Sequence, residues 1–350
     1  MSHPATTTTA PAAAAGYAPS WLDRLLRAVD RLPWPWYATY ATVFILGQAA
    51  IAGLRADAQA GWAQRFLEPP RVFWLWSVYL PAFTHYLGRV AREKLLRFRE
   101  VLGLDDDAFR ALAYRLTTMP FWPPLVLGLL SVALGVATLG LNQDLIRQLG
   151  FPAWEEWATV ASYAVGGAAI YHSIHQLRVV SRVYAMVGEL DLHHLEPVHA
   201  LSALTARTAA GWILLLVATQ AVLPRQLAGR MAVELGFAIL ILVAAASFFA
   251  PLLGMHKRLE QEKAAELTAL SGTARVLRVQ LHARIQAGEL EGLDILQKSL
   301  GLLTAERDQI ARTSTWPWQP ATLRGFLSAL LLPLIVKLLQ GAVGTWMGLG

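Results

Sequence analysis

The chain has 350 residues, 55% of them hydrophobic and 15% charged, with a mean hydropathy of +0.41 and a formal net charge of +6. A soluble domain carries about 25% charged residues; here the deficit falls in nearly uncharged runs of roughly 16 to 23 residues, the length a bilayer demands of a helix. The chain has no cysteine, which excludes disulfides, thiolate metal sites and cysteine nucleophiles. The predicted class is an all-α, multi-pass integral membrane protein.

Residues 1–19, "MSHPATTTTAPAAAAGYAP", are small, Thr/Ala/Pro-rich and low in complexity, so they read as a disordered tail. They lack the basic and apolar regions of a signal peptide, which leaves the first membrane helix as the insertion signal. Residues 20–255 follow as a predicted transmembrane bundle of six spans. Two cytoplasmic helical inserts interrupt it, at 89–120 and 173–207. Residues 256–312 form a cytoplasmic helical hairpin, and 313–350 supply a last span.

The seven spans predicted are Trp36–Leu54, Val72–Leu87, Trp122–Leu141, Trp157–His172, Thr208–Leu223, Val233–Leu253 and Leu323–Gln340. With the N-terminus in the cytoplasm, 23 Lys and Arg residues fall inside and 6 outside, with Lys337 left within the last span. This is the bias expected of cytoplasmic loops. Removing the fifth span would place the most basic connection outside, so the charges favour seven. Arg outnumbers Lys 25 to 5, a composition of GC-rich bacterial genomes, and the expected location is a bacterial inner membrane.

Trp-Pro-Trp occurs twice, at Trp34–Trp36 and at Trp316–Trp318, each just before an apolar run. Trp settles at the headgroup level, and Pro is tolerated in a first helical turn, where its missing N–H would be unpaired anyway. Trp34, Trp36, Trp122, Trp316 and Trp318 are therefore expected as membrane-interface anchors. "MPFWPPL" at 119–125 and "FPAWEEW" at 151–157 open two further spans in the same style. Thr-rich leads, "LTTMP" at 116–120, "LTART" at 204–208 and "ARTSTWPW" at 311–318, are expected to cap the helices that follow.

The third insert is the most informative. Leu267, Leu270, Ala274, Leu277 and Leu281 follow a 3-4 spacing, as do Leu293, Leu296, Leu300, Leu303 and Ile310, with Arg307 interrupting the second series. Gly288 between them can end a helix. The pattern predicts an antiparallel, coiled-coil-like hairpin with a leucine seam at 267, 270, 277, 281, 293, 296, 300 and 303. Its arms bury each other's seam, or part of the seam meets a protein partner or a second copy.

Candidate chemistry is sparse. Five of nine histidines fall between 172 and 199, and His172, His175, His193, His194 and His199, with Glu189, Asp191 and Glu196 among them, are candidate metal ligands. None of their spacings makes a compact metal motif. Asp105–Asp107 lack the pattern of a calcium loop and suit a helix N-terminus. No Asp or Glu lies mid-span, which argues against ion-coupled transport. No Walker loop, dinucleotide fingerprint or nucleophile elbow is present, and no cofactor is implied. Basic residues near the membrane fit anionic lipid headgroups better than nucleic acid. The expected function is non-catalytic: scaffolding, assembly or signal relay through the hairpin. The alternative is a channel or transporter lined by kinked helices and neutral polar groups.

Overall fold

A computed structural model of the chain describes residues 16–55, 61–148, 150–186, 196–227, 230–288, 291–318, 324–328, 331 and 335. Among these there is no β-strand, only one isolated bridge between Pro19 and Pro120. The helices are α1 (Trp21–Asp30), α2 (Trp36–Leu54), α3 (Trp62–Leu67), α4 (Val72–Arg97), α5 (Arg99–Leu102), α6 (Asp106–Thr117), α7 (Trp122–Leu141), α8 (Gln143–Gln148), α9 (Ala153–Met186), α10 (Glu196–Val222), α11 (Met231–Ala287) and α12 (Leu293–Arg312).

Among the described residues four helices are long and apolar enough to cross a membrane: α2, α7, the His199–Val222 stretch of α10, and α11. α2 and α7 bury little of themselves against protein and lie at the periphery, so their apolar faces look outward. The expected spans in α4 and α9 fall in helices of ample length that are not among the four. These two pack at the centre against each other, α4 also against α10 and α9 also against α7 and α11. A central helix can carry polar atoms because its neighbours satisfy them. Trp76 Nε1 donates to Thr219 Oγ1 at 2.9 Å, Tyr79 OH to the Gly211 carbonyl at 2.7 Å, and Trp212 Nε1 to Ser173 Oγ at 3.0 Å. Close approach relies on missing side chains. A Cβ at Gly167 would collide with the Leu127 carbonyl and Ser131 Oγ, and one at Gly211 with the Phe83 ring. Most of the expected seventh span, 323–340, lies outside the described residues.

Among the described residues, successive ends of the long helices alternate between two ends of the bundle. The near end holds α1, Trp36, Met119 and the 313–318 segment; the far end holds Arg55, Arg71, Asn142, Glu155 and Leu223. α11 passes from the far end through the bundle, Pro251 included, and continues to Gly288, whose φ of 75° ends it. α12 then packs back along α11. Lys263 Nζ donates to the Ala311 and Thr313 carbonyls at 2.7 and 2.8 Å, and Arg284 Nη1 to the Glu291 carbonyl at 3.2 Å. Leu267, Leu270, Leu277, Leu281, Leu293, Leu296, Leu300 and Leu303 are all half-buried.

Several expectations are corrected in detail. Residues 16–19 do not belong to a free tail, because Tyr17 OH donates to the Thr118 carbonyl at 2.9 Å. The second Thr-rich lead is not a cap. It lies inside α10, where Thr205 and Thr208 hydroxyls bond back to the carbonyls of Ser202 and Leu204. Asp105 does cap α6, accepting from the Ala108 amide at 2.7 Å, with Asp106 and Asp107 in the first turn.

The two Trp-Pro-Trp copies also differ. Trp34 and Trp122 are exposed, and Trp36 packs on Tyr40 and His85. Trp318, only 7% exposed, cannot present its ring to headgroups. Instead Trp316 stacks between His256 and Trp318, at centroid distances of 3.8 and 4.3 Å, and Phe248 stacks between Trp318 and Phe326, at 5.2 and 4.0 Å.

Candidate functional site

Among the described residues, His172, His175 and His199 join no group that could hold a metal ion. His193 and His194 lie outside the described residues. His172 is buried with Nδ1 lacking a hydrogen-bond partner. His175 Nε2 lies 2.8 Å from the Arg115 carbonyl, and its ring stacks on Tyr171. Burial pushes the His175 imidazole below its ordinary pKa. His199 Nδ1 meets the Pro317 carbonyl at 3.1 Å, and His256 Nδ1 meets that of Thr315 at the same distance. Two histidines thus clasp the backbone of the second Trp-Pro-Trp. Among the described residues no three His, Asp or Glu side chains gather closely enough to hold a metal ion.

The near end is a fastening. Ser20 and Asp23 form a capping box at the start of α1. Asp23 Oδ2 also accepts from the Met119 amide at 2.9 Å, while the Ser20 amide donates to the Met119 carbonyl at 3.1 Å. Three donors therefore converge on a carboxylate that is 4% exposed. Burial raises the Asp23 pKa, and these hydrogen bonds oppose part of the rise. A groove of about 550 Å³ between α1 and α4 lies beside it, where Asp30 pairs with His85 at 3.1 Å and with Arg89 at 3.3 Å.

The far end is built differently. A cavity of about 170 Å³ sits among α4, α7, α9, α10 and α11. Its wall is largely apolar, with Phe73, Trp76, Phe151 and Leu240 among its lining, and it meets Arg71 and Glu155. The Glu155 side chain is 3% exposed, with Arg71 Nε 3.5 Å from Oε2 and Arg55 Nε 3.7 Å from Oε1. Arg55 is paired in turn with Glu68, and the Arg71 guanidinium lies over the Phe151 ring at 5.2 Å. These contacts attract without completing hydrogen bonds: Glu155 Oε1 and Arg71 Nε are both buried with no hydrogen-bond partner. Burial lifts the Glu155 pKa, and the two guanidinium groups pull it back.

A second cavity of about 190 Å³ shares Trp76, Thr138, Tyr163, Ala232, Gly236 and Leu240 with the first. Together they form one groove running from the far end toward the middle of the bundle. Exposed apolar side chains rim it, among them Leu134, Leu141, Met231 and Leu235.

Sequence reading did not foresee this site. Its charges were visible only as outer-loop arginines and as part of a helix-opening motif. Arg55 and Arg71 stand at the two ends of one connection and Glu155 opens a helix beyond another, and nothing in their spacing announces that they converge. Comparison with protein families, characterised proteins and solved structures finds no match to this chain.

Proposed function

We propose that this chain is a non-catalytic, seven-span protein of a bacterial inner membrane, with its N-terminus and near end in the cytoplasm. It acts as a scaffold, assembly or signal-relay element through α11 and α12, which form a cytoplasmic antiparallel hairpin beyond the bilayer. The alternation of connections between two ends supports the threading, as does the excess of Lys and Arg on the near-end segments.

One observation carries the relay reading. α11 is continuous for 57 residues; its first turns line the far-end groove through Ala232 and Gly236, and its last turns form the outer arm of the hairpin. A single continuous helix would therefore join a membrane-embedded cavity to a cytoplasmic surface. Phospholipid headgroups on the cytoplasmic face and a protein partner or second copy at the hairpin are the expected contacts. No nucleic-acid contact is proposed.

The test is deletion of 267–303 in the native host. The expected result is a chain that still inserts but no longer restores the phenotype of a null strain or retains its co-purifying proteins. Full restoration by the shortened chain would overturn the proposal. Reporters fused after Gly288 and after Gly350 check the threading independently. The first should read cytoplasmic and the second the opposite side.

A further inference from the structure

The far-end groove has the shape and chemistry of a site for one kind of amphiphile. Its inner part is apolar and its rim is open along exposed leucines. Its outer end holds two buried polar atoms with unmet hydrogen-bonding capacity and opposite requirements. Glu155 Oε1 needs a donor, and Arg71 Nε needs an acceptor. Native structures rarely leave such atoms unpaired, and leaving both unpaired beside one cavity is costly. An anionic headgroup alone would satisfy Arg71 and face the Glu155 carboxylate. An ammonium alone would satisfy Glu155 and face Arg71 and Arg55. A headgroup carrying both charges answers both ends.

We propose that the groove between α7, α9 and α11 binds a zwitterionic phospholipid with a primary ammonium, its ammonium on Glu155, its phosphate on Arg71 and an acyl chain along Trp76, Gly236 and Leu240. The site has room for the chain because Gly236 faces open space, with no atom within 4 Å of a Cβ placed there. The Arg71 guanidinium lies over the Phe151 ring, and its N–H groups can pair with a phosphate. This inference rests on the membrane threading but not on the relay.

The experiment uses the full chain, purified, delipidated and titrated with single defined lipids, with bound lipid counted by native mass spectrometry. The probes are phosphatidylethanolamine, phosphatidylcholine and phosphatidylglycerol with identical acyl chains. The choline head has no N–H to donate, and the glycerol head has no ammonium. Phosphatidylethanolamine should be retained roughly tenfold better than either, the size expected for one charge-assisted hydrogen bond. Glu155→Gln should erase that preference, and Arg71→Gln should weaken retention of all three. Gly236→Phe fills the groove from a position with space for a side chain, and should abolish retention while leaving the chain folded. Equal retention of the ethanolamine and choline lipids would overturn the proposal, as would a preference that survives Glu155→Gln or retention unchanged in Gly236→Phe. Deletion of 267–303 should leave lipid retention as it was, so a failed relay and a failed lipid site give different results.

Discussion

Asp23 and Glu155 are both carboxylates with almost no exposure, one at each end of the bundle. Around Asp23 the Ser20 amide, the Ser20 hydroxyl and the Met119 amide close on a single oxygen. Around Glu155 two guanidinium groups stand just beyond hydrogen-bond reach, one oxygen has no hydrogen-bond donor, and a cavity lies in front. Burial and charge are nearly the same in the two places. What differs is whether the protein itself has met the demand of the buried atom. Where it has, the carboxylate fastens one segment to another. Where it has not and there is space, a ligand is the natural source of the missing partner.

That contrast can be broken or sharpened by substitution, and the near end should suffer most. Trp318→Ala removes the buried ring between Trp316 and Phe248, and should cost about 3–5 kcal/mol. Thermal unfolding in detergent should show the loss, with Trp34→Ala, at an exposed ring, as the neutral control. Asp23→Ala strands the Met119 amide, while the Ser20 amide keeps the Met119 carbonyl, and should cost about 1–3 kcal/mol for that one buried donor. Protease cleavage between α6 and α7 should also appear in that variant, because the 118–120 segment loses its clamp.

The next effect is smaller and depends on pH. Because the folded protein raises the Asp23 pKa, it binds that proton more tightly than the unfolded chain does. The associated stability is complete below the unfolded value of about 3.9 and is lost as pH rises through the raised folded value. Unfolding temperatures across that window should fall less steeply in Asp23→Asn than in the wild type. Glu155 is shifted in the same direction, so Glu155→Gln should flatten a separate part of the same curve.

The smallest effect belongs to the far end at fixed neutral pH. Glu155→Gln should change the stability of the lipid-free chain by less than about 1 kcal/mol, because the cost of burying the charge outweighs the pull of Arg71 and Arg55 and Oε1 has no hydrogen bond to lose. A loss as large as that of Asp23→Ala would show that Glu155 is a fastening too, and would erase the difference between the ends.

The legible parts of this fold were those written in local sequence. The apolar runs of α2 and α7 mark helices that face outward, and Gly288 and Asp105 mark a helix end and a helix start. α4 and α9 were harder to read because a helix at the centre of a bundle trades hydropathy for polar atoms that its neighbours satisfy, as Tyr79 does at Gly211. The "LTART" stretch misled because Thr serves equally as a cap and as a back-bonding residue within a helix, and only the surroundings decide. The second Trp-Pro-Trp misled for the same reason: a Trp suited to a headgroup layer is equally suited to a stack on Phe248. The groove was illegible because it is made by convergence. Arg55, Arg71 and Glu155 are brought together by three helix ends.

Pro251 gives α11 one further property. It lies within the helix and has no N–H to offer the Ser247 carbonyl, so the turn between them is the softest in the rod. From there to Ala287 the helix extends for about 54 Å at 1.5 Å per residue. Over that length, each degree of bend at Pro251 carries the tip through roughly 1 Å. A shift too small to disturb packing in the bundle would therefore become a displacement of several ångströms at the Gly288 turn.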